Sequence, residues 1–481
     1  KGGKRLKKEF RAHPLMLVSL IKPFLFVLVL PVLKGVIQYI IKRRVTGVLT
    51  LELIGFMAIT LIGALRCRSF HLICGKNGVT IKMGVLFKSS AFISVNKLSS
   101  VQTVQNPIDA VFRAVSYRIN TEAGPKGKAD FDFKLSTKDS AEVSRLLYGE
   151  DNYTAVKFSV FKVAVMAATT SSAVMGMLIA VPIINKTGKL LDIALNNILL
   201  DEINNVSSGF KSYFPPIVNA ITLVFLLSYA VAFVYSLFKY INFKLFLEKE
   251  KLEVRSGFFV RSRSAFKKSS VNDVIIDQTP LMRLFKRYAM KVSVGGYGGS
   301  KSETAVIVPS GRRGEIKRQF QAYFPFLAPD GKLMHARRDI VTKNRFLYLP
   351  GLYFIITVAA SVALTLIFPK FGRLTLFLTM VACAIIMYYA YLSIYEFRLG
   401  KLKIGRNIYA QTVKGFNACE LHCPRENVGQ IKIIRTIPDI RLNTCKVVIS
   451  VRSESADTVK VRMLDYGEVK KSISESYGIE V

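Results

Sequence analysis

Four stretches of this chain carry no charge at all: residues 163–184, 214–238, 346–368 and 374–395. At about 1.5 Å of rise per residue, a helix of that length crosses a hydrocarbon core of about 30 Å. A buried helix of a soluble protein this long normally keeps a polar stripe, and none of these runs does. They predict four membrane-spanning helices. Two further apolar runs carry charge: residues 15–41 hold Lys22 and Lys34, and residues 48–65 hold Glu52. One reading of this pair is an interfacial helix with snorkelling lysines. The short link at residues 42–47 favours a hairpin instead, because it forces the two segments to be antiparallel neighbours. Lys34 and Glu52 then lie at comparable depth, where an ion pair lowers the cost of burying either charge. Six spans in three hairpins is the resulting expectation.

The charge balance points the same way. The chain of 481 residues has 69 Lys+Arg against 32 Asp+Glu, a formal net charge of +37, while 51% of its residues are hydrophobic. Such a mixture excludes a disordered chain and argues against an ordinary soluble enzyme. The excess of cations implies a polyanionic neighbour, nucleic acid or the anionic face of a membrane. Six cysteines without paired spacing do not suggest a disulfide framework, which places the polar parts in a reducing compartment. Basic residues beside the spans orient the chain. Lys1, Lys4, Arg5, Lys7, Lys8 and Arg11 fall on one side. With six crossings, the basic segments 66–157, 239–345 and 396–481 fall on that side too. A multi-pass cell-membrane protein with both termini cytoplasmic follows. The nearly charge-balanced piece 185–213 reads as an external amphipathic helix. The basic opening is not followed by a small-residue cleavage site, so a cleavable signal peptide is not expected.

Each polar segment follows a hairpin, and the segments repeat one another. The first contains Gly84, then Leu98-Ser99-Ser100-Val101, then Gln105-Asn106-Pro107-Ile108. The second contains Gly257, then Val271-Asn272-Asp273-Val274, then Gln278-Thr279-Pro280-Leu281. The third contains Gly415, then Val428-Gly429-Gln430-Ile431, then Arg435-Thr436-Ile437-Pro438. Alternating runs at residues 117–121, 290–294 and 446–451 read as half-buried strands. Each glycine falls where a two-strand hairpin reverses. Each unit closes with a short helix, the last opened by the capping-box pattern of Asp465 and Glu468. A small barrel or sandwich capped by a helix suits about 80 residues of this kind.

This succession of strand, Gly, strand, then L/V-x-x-V, then Q-x-P resembles the bacterial PH-like domain family, long catalogued as membrane-flanked domains of unknown function. Three copies behind two-helix hairpins, with His13-Pro14-Leu15 opening the first span, are similar to the YdbT-like membrane proteins. The resemblance implies a multi-domain membrane protein. Three transmembrane hairpins are each followed by a PH-like antiparallel β barrel or sandwich with a C-terminal capping helix. The expected boundaries are 1–66 for the basic N-terminus and first hairpin, 67–150 for the first domain and 157–238 for the second hairpin. The second domain then occupies 239–325, the third hairpin 345–395 and the third domain 396–481. The resemblance also implies protein partners, among them a smaller membrane-anchored PH-like companion. The third copy departs from the pattern, with Arg435 where the others have Gln105 and Gln278.

The chemistry available is limited. In Cys419-Glu420-Leu421-His422-Cys423, strand geometry puts the two cysteines and Leu421 on one face and His422 on the other. That suits core packing better than a four-ligand zinc site. Gly295-Gly296-Tyr297-Gly298-Gly299-Ser300-Lys301 lacks the P-loop order, and Gly124-Pro125-Lys126-Gly127-Lys128 takes the equivalent place in the first unit. Both read as hairpin loops, able to touch lipid head groups. No catalytic, cofactor or metal residues are assigned, and the chain is expected not to be an enzyme. Arg255, Arg261, Arg263, Lys267, Lys268, Lys301, Arg312 and Arg313 are the expected contacts to anionic lipid or a partner, at about 1 kcal/mol per basic residue near the surface. Nucleic acid is not expected, since the aromatic residues form no stacking platform. The expected function is a cytoplasmic-face platform binding anionic lipid, protein or both, an envelope-related scaffold. The alternative is a transport or lipid-handling path gated by the domains.

Overall fold

A computed structural model of the chain describes residues 8–19, 21, 47–75, 77–85, 87–121, 130–148, 154–171, 216–248, 250–294, 304–369, 372–451 and 458–478. Their element order is one pattern written three times. The first repeat runs β1 (Lys8–Arg11), α1 (Gly47–Arg68), β2 (His71–Gly75), β3 (Gly78–Met83) and β4 (Ser89–Ser94). It continues with β5 (Leu98–Gln105), α2 (Pro107–Val111), β6 (Ala114–Thr121), β7 (Phe131–Ser136) and α3 (Thr137–Tyr148). The second comprises β8 (Thr154–Lys157), α4 (Val160–Thr170), α5 (Pro216–Tyr240), β9 (Lys244–Leu247), β10 (Lys251–Ser256) and β11 (Arg261–Lys267). Then follow β12 (Val271–Gln278), α6 (Pro280–Leu284), β13 (Arg287–Val294), β14 (Ala305–Arg312) and α7 (Arg313–Tyr323). The third comprises β15 (Met334–His335), α8 (Ile340–Ile367), α9 (Gly372–Leu399), β16 (Lys401–Lys403), β17 (Asn407–Lys414) and β18 (Asn417–Pro424). It ends with β19 (Val428–Ile434), α10 (Ile437–Arg441), β20 (Thr444–Val451), β21 (Thr458–Asp465) and α11 (Tyr466–Tyr477).

Every repeat is therefore four strands, three strands and a closing helix. The domains drawn in the sequence as beginning after each hairpin gain a strand from before it. β1 pairs with β2, β8 with β9 and β15 with β16, all antiparallel. The helical segments are thus insertions between the first two strands of a sheet.

The sheets do not respect the repeat boundaries. The chain divides into two compact units, 1–157 with 244–270 and 294–303, and 158–243 with 271–293 and 304–481. The first unit holds the four-stranded sheet β1-β2-β3-β4 and a seven-stranded sheet in the order β7-β6-β5-β11-β10-β9-β8. The second unit holds the seven-stranded sheet β14-β13-β12-β18-β17-β16-β15 and the three-stranded sheet β19-β20-β21. The first three-stranded half thus joins the next repeat's four-stranded half through β5 and β11, and the second does so through β12 and β18.

The two junctions share one register. Gln105 faces Arg261 in the first, and Gln278 faces Ala418 in the second. Arg261 and Ala418 occupy the same position relative to the ends of β11 and β18. The two glutamines also do the same work: each amide nitrogen donates to a carbonyl at 3.1 Å, of Ala114 and of Arg287 respectively. Arg435, the third member, instead stacks 4.0 Å over the Tyr466 ring.

The core of the first repeat draws Phe10, Leu72, Ile81 and Ile93 from one sheet, Val101, Tyr117 and Phe133 from the other, and Val143 and Leu147 from α3. The third repeat repeats this with Leu402, Ile408, Leu421 and Cys423 against Val447, Val459 and Val461, closed by Val469 and Ile473 of α11. Alternation along each strand supplies both faces.

Two helices among the described residues, α8 and α9, are long and apolar enough to cross a membrane; the expected six are not found. Residues 22–46 and 172–215 lie outside the described residues, and with them most of two expected spans, Lys34 and the piece 185–213. The apolar helix α4, at Val160–Thr170, is shorter. In α8 and α9 the apolar windows are barely buried. Ser361 accepts a 2.7 Å hydrogen bond from Thr379 between them, and Phe346 packs on Phe397 at 5.6 Å. The end of α9 is fixed to β21 and to α6. Arg462 donates to Glu396 at 2.9 Å, and Arg283 stacks 4.4 Å over Tyr395.

The three turn glycines have positive φ: +118° at Gly84, +104° at Gly257 and +61° at Gly415. A Cβ at Gly84 would lie 1.9 Å from the Phe87 carbonyl oxygen, whereas at Gly415 it meets open space. Gly415→Ala is expected to cost about 1–2 kcal/mol for the left-handed backbone alone. Gly84→Ala is expected to cost clearly more, read as a larger fall in thermal midpoint of the detergent-solubilised chain.

Candidate functional site

The junction sheet of the second unit carries a cleft of about 350 Å³. Register builds its floor. Across the sheet, Ile276, Glu420, Gln411 and Lys401 form one row, and Val274, His422, Tyr409 and Lys403 the row two residues on. Helix α7 leaves β14 directly and sets Arg313, Ile316, Lys317 and Phe320 along the same cleft, with Tyr288 of β13.

Its inner part is aromatic. His422 lies against Phe320 with ring centroids 4.2 Å apart, and against Tyr409 at 5.0 Å. Burial pushes the His422 imidazole down to about 4, so the ring is neutral near pH 7. Among the described residues its Nδ1 has no hydrogen-bond partner. Beside it, Glu420 accepts from Arg313 at 2.8 Å and from the Gln411 amide at 2.7 Å. Burial pushes the Glu420 carboxyl up, and Arg313 opposes that shift. At the rim stand Arg313, Lys317, Lys401 and Lys403. Four cations against one carboxylate, itself held by Arg313 and Gln411, leave an excess of positive charge over an aromatic floor. Such a site attracts an anion and offers an apolar body something to lie on.

The basic residues expected from the sequence are not gathered into one site. Arg255 and Arg263 face each other across β10 and β11, and both bind Glu253, which is buried. Two like charges opposite one another are destabilising, so this carboxylate is what permits them. Arg255 also lies 4.2 Å over Phe246. Lys267 spends its ammonium on the carbonyls of Val95 and Asn96, at 2.7 and 3.0 Å, fastening the first junction. Arg261 is exposed at the start of β11 opposite Gln105, and Lys268 opens the turn before β12. Arg312 is exposed at the end of β14. Of the seven that are described, only Arg313 lines the cleft. Lys301 and both glycine-rich loops lie outside the described residues. Among the described residues no group of three His, Cys, Asp or Glu could hold a metal ion. Leu421 and Cys423 sit in the core and His422 points the other way, as strand alternation requires.

The sequence reading passed over Lys401, Lys403, Tyr409 and Glu420 as site residues. The Lys-Leu-Lys alternation after the last apolar run was the available signal, since a period of two places both lysines on one face.

Comparison with known proteins agrees with this architecture. The family model described as bacterial PH domain matches residues 20–151 and 196–322, more than half of the chain. The chain belongs to the bacterial PH domain family. No curated protein and no solved structure matches it.

The buried imidazole gives a pH test. An unfolded histidine takes up its proton near pH 6.5, and the folded His422 refuses it until about pH 4. Its contribution is present above pH 6.5 and is lost as pH falls towards 4, by about 3 kcal/mol. His422→Gln is expected to flatten the fall of the thermal midpoint over that window, relative to the unsubstituted chain.

Proposed function

We propose that this chain is a non-enzymatic, multi-pass membrane protein of the YdbT-like kind. Its three PH-like repeats form a cytoplasmic-face platform that binds anionic lipid head groups. The observation that carries this reading is how α8 and α9 enter the fold. They interrupt the sheet between β15 and β16, leaving only residues 336–339 on one side and Gly400 on the other. A hairpin with barely buried apolar helices needs an apolar solvent, and links this short hold the sheet at the surface of that solvent. Arg337, Arg338, Lys343, Arg345 and Arg398 stand at the sheet-side end, the pattern of a cytoplasmic flank. Tyr388, Tyr389, Tyr391 and Tyr395 in α9 form the aromatic belt expected at such an interface. Within the second unit Lys401 and Lys403 at the rim of the cleft lie on β16 itself, directly after the hairpin, so these cations stand where the anionic phosphates of an inner leaflet are concentrated.

The full chain reconstituted in nanodiscs tests the lipid part. With anionic phosphatidylglycerol discs, hydrogen exchange is expected to slow in residues 313–320 and 401–409 relative to neutral discs. Arg313→Glu with Lys317→Glu is expected to abolish that difference. Equal exchange in both disc types overturns the lipid reading. A reporter fused to the C-terminus is expected to signal from the cytoplasm, and an external signal overturns the orientation.

A further inference from the structure

Among the described residues four sheets present eight edges, and six of them carry features that discourage pairing. Three hold two or more charged residues, β1 (Lys8, Glu9, Arg11), β7 (Asp132, Lys134) and β21 (Lys460, Arg462, Asp465), and β8 is only four residues long and ends in Lys157. β14 contains Pro309, and β15 is two residues long. Charge, proline and brevity are the usual protections of an open edge. The remaining two edges have little of this. β4 reads Ser-Ser-Ala-Phe-Ile-Ser with no charge, and β19 reads Val-Gly-Gln-Ile-Lys-Ile-Ile with one lysine. Among the described residues neither has a strand on its outer side.

These two edges are also the ones that the fold uses elsewhere. β19 corresponds to β5 and β12, and β4 corresponds to β11 and β18, which pair as β5·β11 and β12·β18. We propose that β19 of one copy of this chain pairs antiparallel with β4 of a second copy, in the register of the two internal junctions. That register sets Val101 opposite Ala265 and Val274 opposite His422. The third member of the series is Ile431 opposite Phe92, with Ile433 opposite Ser90. Phe92 is 66% exposed, and covering it with Ile431 removes a large apolar surface from water. Lys88 and Arg435 meet at one end of this alignment, but both lie beyond the strands, and Arg435 is held over Tyr466. A second copy is the occupant because β4 is the unpaired strand of the type that β5 and β12 already accept. The contact is heterologous, so each added copy leaves one edge of each kind open and assembly continues beyond a pair.

Cysteine cross-linking in native membranes tests this. Two full chains with different tags are co-expressed, one carrying Phe92→Cys and the other Ile431→Cys, and oxidised. A mixed-tag covalent species is expected only when both cysteines are present. Phe92→Cys with Lys432→Cys, one residue out of register and on the opposite face, is expected to lose it. A chain carrying both Phe92→Cys and Ile431→Cys is expected to give a ladder of species. Val101→Cys with Ala265→Cys in one chain reports that the internal junction has formed. An internal bridge at that pair with no mixed-tag species overturns the proposal. A cross-link from Ile431→Cys to a different protein overturns it equally, in favour of another occupant.

Discussion

Backbone pairing between successive repeats is the constraint on which the rest of the structure depends. β5 and β12 each stand at the edge of a three-stranded half-sheet, with rows of amide and carbonyl groups that must find partners. Each finds them in the fourth strand of the next repeat. Two half-sheets that would be small alone become seven-stranded sheets, and the boundary of a repeat ceases to be a boundary of packing. The chain accordingly separates into units that cut through the second repeat rather than between repeats. The polar work at the junctions follows. Lys267 caps carbonyls of the first repeat across β5·β11, and Asn427 does so for Val271 and Asn272 beside β12·β18.

The same constraint decides where chemistry can occur. At the first junction, the carboxylate of Glu253 is closed by Arg255 and Arg263, so the buried acid is held by partners within its own sheet. At the second, the carboxylate of Glu420 meets one arginine from α7, and the lysines of β16 remain at the rim. One scaffold thus yields a sealed polar cluster in one place and an open basic cleft in the other. The difference lies in a few side chains rather than in the backbone.

Much of this was legible in the sequence because it is local. The glycines at 84, 257 and 415 mark turns with positive φ, and the Q-x-P signature marks the end of a strand and the opening of a short helix at Pro107 and Pro280. The first strand of each sheet was not legible. Lys-Glu-Phe-Arg, Thr-Ala-Val-Lys and Met-His are too short to show a period, and they are separated from their partners by the apolar runs. Of the left-handed residues that follow the short helix in every repeat, Arg113 and Lys286 gave no signal either, whereas Asn443 is of a type that tolerates this backbone. Arginine and lysine are not residues that announce such a backbone. Cleft residues such as Glu420 and His422 were read as neighbours in a strand. Their role depends on α7, which arrives from the preceding repeat.

Inserting the apolar helices between the first two strands of a sheet has a mechanical consequence. A domain hung from a membrane helix by one linker can tumble, and its surface samples the bilayer at an effective concentration set by that linker. The third repeat is attached at two adjacent strands, and the last turns of α9 are also bound to it through Glu396, and to α6 of the second repeat through Tyr395. For the membrane platform proposed above, orientation is therefore built in rather than sampled. An oriented sheet need not supply the binding energy that would otherwise fix its pose. A cleft held by a few cations suffices on such a support, whereas a freely diffusing domain needs a larger basic surface for the same occupancy.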